Sequence, residues 1–332
     1  MADKEAKAPL MKRGLIFSTP PRSNQSMKGR GTMKRILTVL IAILLALTLL
    51  GGCTGTSAAT VKTTDIQGNA VDVPASAQKI ISLSPSTTEL IYALGAQDKL
   101  VGVDKYSTYP EEAKSKTQVG DYSAPDIEKI ISLKPDLVLA GEKLQTSTIS
   151  KLKELGIATM AVEARHYEDI PKTFELVGTA TGKTAEAKAL IDKLKAKEDE
   201  IKGKVAGQKT PTVYFVLSFG AGAGNWTSGP GSFINSMIAV AGGDCVTNHV
   251  DPNAPWMDYN LEKLVSQNPE IILLDQFAGE PDKLKAEEGY KSLDAVKNGK
   301  IYVTNNELAW PGPRIINGLD TLAKILHPDL FK

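Results

Sequence analysis

Three tryptophans stand in loops of the second half of this 332-residue chain. Trp226 follows a glycine-rich turn, Trp256 follows Pro255, and Trp310 precedes Pro311-Gly312-Pro313. Aromatic rings on connecting segments are suited to contact a ligand, although any one loop tryptophan can equally cap a core. The second feature is a repeated acid. Residues Ile127 to Ala140 read IEKIISLKPDLVLA, and Leu261 to Leu274 read LEKLVSQNPEIILL. Glu128 and Glu262 correspond at a constant offset of 134 residues, as do Lys129/Lys263, Ser132/Ser266 and Pro135/Pro269. Each unit reads as a short helix, a proline stop and a buried strand. Two such units suggest two similar lobes, each presenting one Glu at the start of the same helix. Together they suggest a shell that closes on a ligand and docks on a two-fold partner. An acid in the first turn also complements the helix dipole with no partner at all.

These residues do binding chemistry rather than turnover. Gly220-Ala221-Gly222-Ala223-Gly224-Asn225 follows a predicted strand, but Asn225 occupies the place of the third glycine in a dinucleotide loop, and no Gly-Lys-Ser/Thr phosphate loop occurs. The run reads as a flexible cleft wall. The three histidines, His166, His249 and His327, are scattered and do not form the His and carboxylate cluster of a free-metal site. No paired Asp/Glu stands in an apolar context that would tune a pKa. An enzyme is therefore not expected. A formal net charge of +1 does not favour a nucleic-acid partner.

The N-terminus carries targeting information. Lys34 and Arg35 precede the uncharged run Ile36–Leu50, and Leu50-Gly51-Gly52-Cys53 follows. That run spans about 22 Å as a helix, against ~30 Å of bilayer hydrocarbon, which favours an export signal over a permanent span. The ending resembles a lipobox with Cys53 as the lipidated first residue; an uncleaved signal anchor is the alternative. Residues 1–32 are polar, and Met27 or Met33 is a suitable translation start. With Cys53 lipidated, Cys245 is left alone in the apolar segment Ile238–Val246, as a buried small hydrophobe.

The remainder is organised to position the cleft. Predicted strands are Lys79–Leu83, Leu100–Val103, Leu137–Ala140 and Ala158–Val162, then Thr212–Leu217, Ile271–Leu274 and Ile301–Thr304. Ser86-Thr87-Thr88-Glu89 reads as a capping box that opens a helix closed by Gly95. Thr184–Val205 has Leu190, Leu194, Ile201 and Val205 at helical spacing and no Pro or Gly to Lys202, so one long helix is expected between the sets. The predicted fold is α/β: two α/β lobes with mostly parallel sheets, joined by one long helix, with the ligand cleft between them. The divisions are a signal region 1–52, a tether 53–60, an N-terminal lobe 61–181, a connecting helix 182–206 and a C-terminal lobe 207–332. A helical connector predicts little lobe movement on binding.

The chain resembles the substrate-binding proteins of ABC importers for vitamin B12, ferric siderophores and haem. The resemblance covers about Asp65 to Phe331. It is carried by KIISLSPSTTELIYALG (Lys79–Gly95), VGVDKYSTYP (Val101–Pro110), Val119–Gly141, WTSGPGSFINSMIAVAGG (Trp226–Gly243), Trp256–Leu274 and WPGPRIINGL (Trp310–Leu319). It implies two lobes joined by a long helix, no cofactor, and as partners an ABC permease dimer with its ATPase subunits. It implies that Glu128 and Glu262 pair with permease arginines, and that Tyr106, Tyr122, Trp226 and Trp256 occupy aromatic cleft positions. Trp310 falls where B12-binding members can carry a polar or basic contact.

Of six arginines, only Arg165 and Arg314 follow Cys53, and the motifs place only Arg314 well for the cleft or for fixing the loop before the last helix. A triply anionic catecholate would want several such cations. A weakly charged chelate is therefore expected: a corrinoid first, then a neutral ferric hydroxamate, then haem, whose iron Tyr106 or Tyr122 could ligate. Ser84-Pro85-Ser86 places a helix N-terminus where it could meet the ligand, unless Ser86 is occupied as the cap. A ligand-sensing lipoprotein without a transporter remains the different-class alternative.

Overall fold

The structure, a computed structural model, describes residues 60–75, 77–141 and 145–331. The signal region, Cys53 and the tether up to residue 59 lie outside them. An antiparallel hairpin of β1 (Thr60–Thr64) and β2 (Ala70–Pro74) comes first. It is followed by β3 (Ile80–Ser82), β4 (Leu100–Val103), β5 (Thr117–Gln118), β6 (Leu137–Ala140) and β7 (Thr159–Ala161). These five form a parallel sheet in the order β5-β4-β3-β6-β7, the core of lobe one. Lobe two contains β8 (Thr212–Val216), β9 (Trp226–Ser228), β10 (Asp244–Cys245), β11 (Trp256–Asp258), β12 (Ile271–Leu274) and β13 (Ile301–Val303). Its parallel sheet runs β10-β8-β12-β13, with β9 and β11 paired as a separate antiparallel ribbon.

The predicted strands are present, and four of the seven are shorter by one or two residues where the chain leaves the ladder. β6 and β12, the strands of the two repeats, are buried at every position because helices cover both faces of each sheet. The sheets therefore keep the near-continuous apolar runs that made them legible. In each sheet the connection reverses direction at one strand, at β3 between β4 and β6 and at β8 between β10 and β12. Ligand crevices form outside the carboxyl ends of parallel strands at such points.

Thr184–Val205 is a single 22-residue helix. Ala187, Ile191, Leu194 and Ile201 are buried, while Lys188–Asp192 (2.6 Å) and Lys204–Glu200 (2.8 Å) pair on its wet face. Such exposed pairs stabilise a helix by only about 0.3–0.5 kcal/mol each. The inward face counts for more. One continuous buried cluster runs from Ile80 and Leu137 through Ile191 and Leu194 to Phe215, Leu273 and Leu326. The two sheets thus share core packing as well as a covalent connector.

One local expectation is corrected. The helix spans Pro85–Ala93 and its N-cap is Ser84, whose hydroxyl accepts from the Thr87 amide; Ser86 is not the cap. Proline is favoured at the first helical position, so the cap moves to the residue before it. Glu89 is consequently no capping-box partner. It points into the molecule, 4% exposed.

Candidate functional site

A cavity of about 430 Å³ opens between the lobes. Lobe one lines it with Pro85, Tyr106, Tyr122, Glu163, Ala164 and Arg165, and lobe two with Ser232, Phe233, Pro255, Trp256, Phe277, Ala309, Trp310 and Pro311. In lobe one every lining residue lies in a loop or helix start after the carboxyl end of β3, β4, β5 or β7. In lobe two, Phe277 follows β12, and Ala309, Trp310 and Pro311 follow β13.

The lobe-one wall is a network of polar groups. Past β4, the buried Asp104 turns the chain back: its carboxylate accepts from the Tyr106 amide (2.9 Å) and from Ser107 Oγ, so that Tyr106 projects. Burial pushes the Asp104 carboxyl above its usual range. Tyr106 donates its hydroxyl to Asp121 Oδ2 (3.1 Å), which also takes Lys105 Nζ at 2.5 Å. The Lys105 hydrogen bond holds Asp121 well below the usual carboxylate range. Tyr122 donates to Glu163 Oε2 (2.6 Å), and Ser86 Oγ donates to Glu163 Oε1 (2.9 Å). Gly141 makes room for this pair, since a Cβ there would lie 2.7 Å from Glu163 Oε2 and 2.9 Å from Tyr122 Oη. Gln145 braces the same spot, donating to Leu83 O and Tyr122 O at 2.8 Å and accepting from Gly141 N at 2.7 Å.

The lobe-two wall is mostly apolar. Trp256 begins β11 and packs against buried Phe215, with ring centroids 6.3 Å apart. Phe277 is 75% exposed at the rim. It is set by the same device as Tyr106: the buried Asp275 accepts from the Phe277 amide at 2.8 Å. Burial raises the Asp275 carboxyl as well.

Of the aromatic residues expected in the cleft, Tyr106, Tyr122, Trp256 and Trp310 meet around this cavity. Trp226 does not line it. It pairs with Asp258 at one end of the ribbon, while Trp256 pairs with Ser228 at the other. Its indole lies over Gly224, where a Cβ would come within 2.9 Å of the ring. Gly224 also has φ +74, so glycine is required twice over. Of the two roles open to Arg314, facing the cleft or fixing structure, it takes the second. Arg314 grips Glu89 of lobe one with Nε–Oε2 2.8 Å and Nη2–Oε1 2.6 Å, and its Cζ lies 4.0 Å from the Tyr109 ring centroid. Burial raises the Glu89 carboxyl against the pull of Arg314. Arg165, which no motif pointed to, lines the cavity instead.

Glu163 and Phe277 were also missed. Phe277 carried a signal, being the first aromatic residue after a parallel strand. Glu163 carried none, because its two partners are 41 and 77 residues away in sequence. Pro85 lines the cavity, whereas Ser84 and Ser86 are engaged with Thr87 and Glu163.

Glu128 and Glu262 stand in the first turns of Ile127–Ser132 and Leu261–Gln267. The repeat extends to their caps: Asp126 Oδ1 accepts from Lys129 N (3.0 Å), and Asn260 Oδ1 from Lys263 N (2.8 Å). Both acids are exposed, and neither has an ion pair or side-chain hydrogen bond among the described residues. No group of three His, Cys, Asp or Glu side chains among the described residues is placed to hold a metal ion. Cys245 is fully buried in β10, and burial raises its thiol pKa.

Two lobes around an aromatic cleft define a solute-binding protein, and the sequence profile of periplasmic binding proteins matches residues 80–308. The chain belongs to that family, so the resemblance drawn from its motifs holds. It is 31% identical over 90% of its length to YvrC of Bacillus subtilis, an uncharacterised ABC transporter substrate-binding lipoprotein covered in full. It is 30% identical, over 75% of this chain and 90% of the other, to a vitamin B12-binding protein of Salmonella choleraesuis. The crystal structure of a possible iron-binding, periplasmic solute-binding protein of Staphylococcus epidermidis matches with a TM-score of 0.65 and 29% identity. That match covers 76% of this chain and 99% of the other.

Proposed function

We propose that the chain is the extracytoplasmic substrate-binding lipoprotein of an ABC importer, that it captures a corrinoid, with cobalamin as the best reading, and that it hands the ligand to a permease. The carrying observation is the cavity between the lobes, walled by Trp256, Trp310, Phe233 and Phe277 opposite Tyr106 and Tyr122. Among the described residues a broad apolar wall faces hydroxyls, one carboxylate and one guanidinium, which suits a bulky macrocycle with polar edges. The similarity to a vitamin B12-binding protein supports the same ligand. The role is binding, with no turnover. An affinity near nanomolar, about −12 kcal/mol, fits such a role.

Calorimetry with cyanocobalamin tests the ligand: saturable sub-micromolar binding is expected, and silence would overturn it. A ferric siderophore or haem is the second reading. It is favoured by the Tyr122 hydroxyl held 2.6 Å from Glu163, an arrangement that suits a phenolate ligand to iron, and by the similarity to a possible iron-binding protein.

Delivery rests on Glu128 and Glu262, one exposed acid per lobe, paired with basic groups on the two permease subunits. Exposed charges of this kind act on orientation and encounter rate more than on raw affinity. Glu128→Ala with Glu262→Ala should abolish ligand uptake by cells and leave ligand affinity unchanged. Normal uptake by the double variant would favour a sensor that needs no permease. The anchor is Cys53: Cys53→Ser should lose lipid labelling and release the protein from the membrane.

A further inference from the structure

Arg165 is the guanidinium of the cavity, and its hydrogen-bonding capacity is largely unspent. It lines the space between the lobes and is half-buried. Its Nε is buried with no hydrogen-bond partner. Its Nη2 reaches only Asn253 O, at a long 3.5 Å. The other arginine among the described residues, Arg314, is committed to Glu89 through two hydrogen bonds and to the Tyr109 ring. Among the described residues no lysine lines the cavity, and Glu163, the carboxylate that does, already accepts Ser86 and Tyr122 on separate oxygens.

We infer that the cleft is built for a ligand that carries an anionic group, and that Arg165 receives one such group through its guanidinium fork. The inference rests on the chelate-binding reading above and narrows it. A guanidinium edge matches the two oxygens of a carboxylate or phosphodiester, and an anion placed there would satisfy the buried Nε–H. A cobalamin carries such a group in the phosphodiester of its nucleotide loop. A haem carries two, in its propionates. A neutral ferric hydroxamate carries none. Charge therefore selects among chelates that the apolar wall would accept equally.

The test is calorimetry on the full-length chain in detergent with four probes: cyanocobalamin, dicyanocobinamide (which lacks the nucleotide loop and its phosphodiester), haem and a neutral ferric hydroxamate. The wild type is compared with Arg165→Gln and Arg165→Lys. Cobalamin affinity should fall about 10- to 100-fold in Arg165→Gln, the range for a lost hydrogen bond to a charged group. Arg165→Lys should recover part of the loss. Cobinamide affinity should stay within about twofold of wild type, which also shows that the variant is folded. Equal losses for cobalamin and cobinamide, or no loss, would overturn the inference while the corrinoid reading stands. If the wild type binds haem but not cobalamin, the corrinoid reading fails, and a selective loss of haem by Arg165→Gln sustains the inference. Binding of the neutral hydroxamate alone, or of none of the four, overturns both.

Discussion

On one side of the cleft, Tyr106 and Tyr122 each give a hydroxyl to a carboxylate that a second side chain also holds. On the other side, Trp256 rests on Phe215, and Phe277 stands largely in solvent. The contrast arises although both rims use the same turn. Asp104 and Asp275 each leave the end of a parallel strand and fix the amide two residues on, and the residue so presented is a tyrosine in lobe one and a phenylalanine in lobe two. Aromatic surface contributes affinity with little orientation, whereas hydrogen-bonded phenols and a guanidinium set orientation and selectivity. The scaffold is duplicated, and the division of labour lies in the side chains it presents.

The contrast requires the walls to keep their spacing, and the Glu89–Arg314 ion pair is a tie that crosses between the lobes. Glu89 is buried and Arg314 half-buried, so removing the guanidinium leaves a buried carboxyl without its partner, at a cost of about 2–3 kcal/mol. Arg314→Ala should therefore lower unfolding stability by that order, measured by denaturant titration. Free and ligand-bound wild type should give nearly identical scattering profiles, and a large contraction on binding would contradict the shared core and this tie. The next effect is on the apolar wall. Trp256→Ala should weaken ligand binding by about 2 kcal/mol, roughly 30-fold, by calorimetry. On the polar wall, Tyr122→Phe should cost about 1 kcal/mol, roughly fivefold, because one hydrogen bond is lost from a group that keeps its ring. A loss there as large as at Trp256 would erase the distinction between the walls.

The smallest effect concerns pH. The Asp104 carboxyl is raised by burial, so its contribution to stability is fully present below its ordinary value near 3.8 and is lost as pH rises through its higher folded value. Asp104→Asn should flatten the stability profile in that window. A profile unchanged by the substitution would remove Asp104 as its cause.

The two parallel sheets, the helix Thr184–Val205 and the repeat of Glu128 and Glu262 were legible because each rests on a local pattern: buried apolar runs, helical spacing, a duplicated helix-proline-strand unit. The caps Asp126 and Asn260 show that the duplication is one of local structure as well as of letters. Of the aromatic residues lining the cavity, Tyr106, Tyr122, Trp256 and Trp310 were legible and Phe233 and Phe277 were not, while the indole of Trp226 folds back on Gly224. The charges of the cleft were not legible. Glu89 and Arg314 lie 225 residues apart, and the pairing that withdraws Arg314 from the cleft is a tertiary fact with no local signature. The same holds for Glu163, which is fixed by Ser86 and Tyr122 from distant parts of lobe one.

The most direct test is tryptophan fluorescence of the wild type, Trp226→Phe, Trp256→Phe and Trp310→Phe during titration with cyanocobalamin, corrected for corrin absorbance and run beside calorimetry. The account predicts saturable sub-micromolar quenching that survives loss of Trp226 and falls sharply with loss of Trp256 or Trp310. Quenching carried by Trp226, or no saturable response by either method, would contradict it.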